Sequence, residues 1–179
     1  MWNAQAQKHP NNSMVEKKKN LSEFTPFNFT SAKNIRIGIV VSEWNDRITD
    51  SLLEGARTSL TEHGVPSDNI YICHVPGSYE LPSGAHLMLQ NRTDLDAVIC
   101  IGCIIQGETR HFEFIAQAVS NGIMEVSLRH SKPVIFSVLT CDTMQQAEDR
   151  SGGRYGNKGV EGAVSCLKML TLKSELETK

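Results

Sequence analysis

The chain has 179 residues, 40% hydrophobic and 21% charged, the balance of a single globular domain with a full core. A formal charge of −2 offers no basic face, so no nucleic-acid partner is expected. No apolar run reaches the roughly 18 residues of a membrane span, "MWNAQAQKHPNNSMVEKKKN" lacks a secretory apolar region, and five cysteines without a small secreted scaffold fit reduced thiols at a cytoplasmic address.

Residues 1–33 are polar and aperiodic and read as a largely flexible N-terminal arm, its Lys17-Lys18-Lys19 cluster a solvated tail. Residues 34–179 read as one α/β domain. Four β-rich apolar runs follow: "IRIGIVVS" (35–42), "NIYICHV" (69–75), "DAVICIGCII" (96–105) and "PVIFSVLT" (133–140). Between them Ile48, Leu52, Leu53, Ala56 and Leu60 recur at helical spacing, as do Phe112, Ile115, Ala116, Val119, Ile123 and Val126. Val160, Ala163, Val164, Leu167 and Leu170 mark a last helix. Strands apolar on both faces and joined by helices predict a three-layer α/β/α sandwich around a four-stranded parallel sheet.

Cys100 and Cys103 form a C-x-x-C, but inside a strand that spacing sends the two thiols to opposite faces, so the pair reads as structural. No metal set is visible.

Ligands of open parallel sheets bind outside the carboxyl ends of the strands. Those ends are "SEWND" (42–46), "VPGSYELP" (75–82), "IIQGETRH" (104–111) and "SVLTCD" (137–142), four segments expected to build a site together. Trp44 reads either as a rim aromatic or as a stacking platform for a heteroaromatic ring. Glu80, beside the backbone groups of Ser78 and Tyr79, either serves a helix dipole or accepts hydrogen bonds from a polyol.

Gly107-Glu108-Thr109 leads from a strand into a helix, where unpaired N–H groups and the dipole favour an anion. Gly107 allows close backbone approach, and Thr109 can cap the helix or donate to phosphate. Glu108 has to point its carboxylate away. His111, on the first turn, can shuttle protons near neutral pH. The bland alternative is a strand that simply ends there. Farther on, Asp142 with Gln145 reads as a cap and short helix, and Arg150 offers a fork for phosphate oxygens. The glycines around Lys158 invite a P-loop reading, but Gly159 stands where Ser or Thr is required. "SGGRYGNKG" reads instead as a flexible hinge between helices.

Together, "VPGSYELP", "IGCIIQGETRHFEF", "PVIFSVLTCDTMQQAEDR" and "GNKGVEGA" resemble, in order and spacing, the 6,7-dimethyl-8-ribityllumazine synthase family over roughly residues 34 to 171. The resemblance implies a flavodoxin-like sheet and the penultimate step of riboflavin biosynthesis. In that step 5-amino-6-(D-ribitylamino)uracil condenses with 3,4-dihydroxy-2-butanone 4-phosphate, without a cofactor. It implies Trp44 stacked on the pyrimidine, Ser78, Tyr79 and Glu80 on the uracil substrate, and Cys103, Ile104 and Ile105 at the pyrimidine edge. Glu108 and Thr109 fall in the phosphate cradle, and His111 is the proton carrier. Phe136 and Arg150 complete the pocket from a neighbouring subunit, with Lys158 near it; Asn45 and Gly107 are further candidates. A homo-oligomer is implied, a pentamer and an icosahedral shell of pentamers, the short "SGGRYGNKG" matching shell-forming members. Gln106, where relatives often carry a basic residue, Glu113 in place of Asp, and the long arm are departures. A non-catalytic flavin carrier or cargo shell of the same fold is the alternative, and retention of His111 and Arg150 argues against the carrier.

Overall fold

The computed structural model describes residues 32–177 together with Asn20 and Ser22. Most of the expected arm lies outside the described residues. The four β-rich runs become β1 (Ile37–Ser42), β2 (Ile70–Val75), β3 (Ala97–Ile105) and β4 (Val134–Cys141). Helices α1 (Asp46–Glu62), α2 (Leu81–Asn91) and α3 (His111–His130) connect them. The chain continues through α4 (Met144–Arg150), a hairpin of β5 (Ser151–Gly153) and β6 (Gly156–Asn157), and α5 (Lys158–Glu177).

The strands pair in parallel in the order β2-β1-β3-β4, the flavodoxin-like arrangement the sequence led us to expect. Alternation along each strand divides the core. Ile37, Ile39 and Val41 of β1 with Ile99 and Ile101 of β3 face α1 and α5, where Leu52, Ala56, Leu60, Ala163 and Leu167 meet them. Val40, Val98 and Cys100 face α2 and α3, against Leu81, Ala85, Val119 and Ile123. Each fully buried Leu or Ile there contributes about 1.5–3 kcal/mol. Cys100 and Cys103 fall in different core layers, as strand geometry demands.

Three local expectations change. β2 is an edge strand with Ile72 and His74 exposed, because an edge strand is covered by neighbours less completely than β1 or β3. The short helix after β4 is capped by Thr143, one residue beyond the expected Asp142: the Gln146 N–H donates to Thr143 Oγ1 at 3.3 Å, and Gln146 Oε1 accepts from Asp142 N–H at 2.8 Å. The expected hinge is an anchored hairpin. Its turns use Gly152 and Gly156 at φ 113° and 88°. Asn157 donates to the Ser51 carbonyl at 2.9 Å and accepts from Gly159 N–H at 2.8 Å, capping α5. A Cβ on Gly159 would overlap the Leu52 carbonyl oxygen, so α5 packs on the backbone of α1 at this point.

Candidate functional site

A cavity of about 490 Å³ opens at the carboxyl ends of β1 and β3, the point where strand order reverses. The register explains the opening. β1 pairs with β3 only as far as Val41–Ile101, whereas β4 follows β3 on to Ile105–Cys141. The β1 side of the last β3 residues is thus left without a strand, and the loops after β1 and β2 fold over it.

From the loop after β1 come Trp44 and Asn45. Trp44 N–H donates to the Pro76 carbonyl at 3.2 Å, and its indole lies against Gly77, where a Cβ would approach the ring to 3.0 Å. The ring is 67% exposed, an open platform on the rim. Asn45 is left-handed at φ 61°, and its Nδ2 donates to the Cys103 carbonyl at 3.0 Å.

The loop after β2 contributes Ser78, Tyr79 and Glu80. Glu80 Oε2 accepts the Gly77 N–H at 3.0 Å, which folds the loop into its turn; the other carboxylate oxygen makes no hydrogen bond among the described residues. Tyr79 is exposed and Ser78 is buried. The Ser78 hydroxyl and that of Ser42 are buried beside Gly102 and have no hydrogen-bond partner among the described residues.

Cys103, Ile104 and Ile105 form the wall from β3. Burial, reinforced by Cys141, pushes the Cys103 thiol up to about 12, so it is a neutral, apolar part of that wall. Gly107, Thr109 and His111 line the mouth, where the twenty-residue helix α3 begins. Gln106 Nε2 donates to the Gly107 carbonyl at 2.8 Å and holds the loop in shape. Thr109 Oγ1 accepts the His111 N–H at 3.4 Å, and His111 is exposed. A Cβ on Gly107 would meet nothing within 4 Å, so the protein's own packing does not require glycine there; the space beside it is open to a ligand. Glu108 is exposed and outside the lining.

The fourth segment does not join. The end of β4 contributes nothing to the lining, because β4 lies beyond β3 from the reversal point. Phe136 is half-buried among the side chains facing α2 and α3. Arg150 is engaged elsewhere, paired with Glu161 at 2.7 Å and donating to the Tyr155 carbonyl at 2.8 Å. Lys158 shares that carboxylate at 3.3 Å. Among the described residues no Lys or Arg lines the cavity, so one chain offers an anion only the N-terminus of α3, backbone N–H groups and His111.

Phe112 and Ile115 line the cavity without having been singled out for it. Their helical spacing marked an apolar stripe, but not that its first turn overhangs a pocket. Ser42 and Gly102 lay inside the β-rich runs, but nothing in the sequence set them beside Ser78. The assembled site is an apolar slot with the Trp44 indole on one rim and, on the other, a helix N-terminus bearing His111. It suits a flat polar heterocycle placed beside an anionic partner.

A family model described as 6,7-dimethyl-8-ribityllumazine synthase matches residues 34–174. Proteins bearing that name are similar along most of their length. The one from Parabacteroides distasonis is 49% identical over 155 residues, 87% of this chain and 96% of that protein. The one from Cytophaga hutchinsonii is 57% identical over 133 residues, covering 74% and 83%. The one from Flavobacterium johnsoniae is 49% identical over 162 residues, covering 90% and 85%.

Proposed function

The chain belongs to the 6,7-dimethyl-8-ribityllumazine synthase family, and we propose that it condenses 5-amino-6-(D-ribitylamino)uracil with 3,4-dihydroxy-2-butanone 4-phosphate, releasing phosphate and water. It is a transferase of riboflavin biosynthesis. The observation that carries the residue assignment is the meeting of Trp44, Glu80 and His111 around one cavity, although they are far apart in sequence.

The pyrimidine stacks on Trp44 against the Cys103–Ile105 wall, and the ribityl hydroxyls donate to Glu80. Phosphate lies on the Gly107–Thr109 turn at the start of α3, with Glu108 giving only its backbone. The 5-amino nitrogen attacks the ketone and water leaves, forming a Schiff base. Elimination of phosphate gives an enol, which tautomerises to a ketone. The ribitylamino nitrogen closes the ring on that carbonyl with loss of a second water. His111 stands where it can move protons in these steps. The amine is already a good nucleophile, so orientation supplies most of the acceleration, up to about 7–11 kcal/mol in favourable cases.

Arg150 and Phe136 complete the pocket of an adjacent subunit in a homo-oligomer, with Lys158 near it. Two facts support this reading: none of the three lines its own chain's cavity, and among the described residues no Lys or Arg lines that cavity. The assembly is a pentamer, and the short β5–β6 hairpin favours pentamers closed into a shell. Light scattering at low concentration tests the shell; a mass near five subunits would refute it. The free thiols of Cys73, Cys100, Cys103, Cys141 and Cys166 support a reducing, cytoplasmic address. No described helix is long and apolar enough to cross a membrane.

The test mixes protein with both substrates and follows lumazine absorbance and fluorescence against the same mixture without protein. A large protein-dependent rate is expected. A rate equal to the control would overturn the assignment and leave a carrier or a shell.

A further inference from the structure

Asn45 stands at the cavity rim and bonds both to the end of β3 and to the start of α1. Its side-chain Nδ2 crosses from the loop after β1 to donate to the Cys103 carbonyl at 3.0 Å, closing the gap where β1 no longer pairs with β3. Its own carbonyl accepts from Ile48 N–H at 2.8 Å and Thr49 N–H at 3.0 Å, starting α1. Its backbone is left-handed at φ 61° and ψ 43°, a conformation that non-glycine residues rarely adopt and that Asn tolerates best.

The residue before it is Trp44. That backbone is tied on its other side to β2, with Glu43 N–H on the Val75 carbonyl at 2.9 Å and Trp44 N–H on the Pro76 carbonyl at 3.2 Å. The indole itself is exposed and makes no hydrogen bond among the described residues. Beside its contact with Gly77, the platform's orientation depends on the two anchors of its backbone, β2 on one side and the Asn45–Cys103 bridge on the other. We infer that Asn45 is a positioning residue: its amide clamps the loop after β1 to the end of β3 and thereby fixes Trp44 in stacking pose. This rests on the proposed reaction and gives it a specific point of control over the pyrimidine.

Two variants separate clamp from turn. Asn45→Gly keeps the left-handed backbone at no steric cost and removes the amide. Asn45→Asp keeps size and shape but sets an acceptor against the Cys103 carbonyl. The chain has two tryptophans, Trp2 and Trp44, so a Trp2→Phe background isolates the platform. Both variants should raise the pyrimidine KM about tenfold, the equivalent of one lost hydrogen bond. The KM for the phosphorylated butanone should stay within about twofold, and Trp44 anisotropy should fall.

Lowering the pH toward the ordinary Asp value, about 4, restores a donor in Asn45→Asp. Anisotropy should recover there and not in Asn45→Gly or the unsubstituted background. Unchanged pyrimidine KM and anisotropy in both variants would overturn the clamp. So would equal loss for both substrates without recovery in acid, the mark of a merely loosened fold. If the parent protein shows no rate above the spontaneous condensation, the reaction itself fails, and the anisotropy series still decides the clamp.

Discussion

Replacing Gly102 by alanine tests whether β3 packs against the turn before α2 as described. A Cβ at this position on β3 would lie 2.6 Å from Ser78 Oγ, 2.8 Å from Leu81 Cδ1 and 3.3 Å from Ser42 Oγ. Ordinary contacts need the better part of an ångström more at the first two. The Ser78 hydroxyl has no hydrogen bond among the described residues to lose and can rotate toward the cavity. Leu81 is fully buried and can retreat only into the layer formed by Val40, Cys100 and Val119.

Interiors resist such insertion, at a cost of about 1–3 kcal/mol. The assay is urea unfolding at one fixed protein concentration, comparing midpoints at constant slope. Leu81→Ala alone should cost about 2–5 kcal/mol. The double variant should cost less than the two single losses together, by about 1 kcal/mol, because the smaller side chain leaves room for the new methyl. The displaced Ser78 should also raise the pyrimidine KM. Stability of Gly102→Ala within about 0.5 kcal/mol of the parent, or simple additivity in the double variant, would refute the contact of β3 with the turn before α2.

Removing the His111 imidazole should lower kcat by at most about 10²–10⁴-fold and leave the unfolding midpoint unchanged, since the side chain is exposed; complete loss in a correctly assembled variant would refute the division of labour between orientation and proton transfer. Arg150→Ala should raise the KM of the phosphorylated substrate selectively, and an unchanged value would sink its role at phosphate. His86 Nδ1 and His130 Nε2 are 2.9 Å apart, one donating and one accepting. Burial, and then His86, Lys132 and Arg129, hold the His130 pKa below the ordinary imidazole value. The unfolded chain therefore takes up a proton, as pH falls through about 6.5, that the folded protein resists. The contribution of His130 is complete above about pH 7 and is lost as pH falls below the ordinary imidazole value; urea midpoints in His130→Gln should show a smaller drop on acidification.

Local pattern made the core of the fold legible. The strand runs, the apolar stripes of α1, α3 and α5, and the opposite facing of Cys100 and Cys103 follow from periods of 2.0 and 3.6 residues, which a sequence displays directly. The chemistry of the strand ends was legible too: a glycine-containing turn into a helix, a histidine on its first turn, an indole after β1 and a carboxylate after β2. Motif spacing tied them to one family.

Tertiary structure alone decided which of these meet. Nothing near Asn45 announces a hydrogen bond to Cys103, 58 positions away, and nothing near Ser42 announces Ser78 and Gly102 as neighbours. The β4 end looks like the others in sequence yet lies outside the cavity, and the apparent hinge at 151–159 is fixed by Asn157 and the backbone of α1. The physical reason is that periodicity records which face of an element is buried. The order of strands in the sheet, and the register at which β1 stops pairing with β3, depend on how the crossover helices pack, and that determines where the cavity opens.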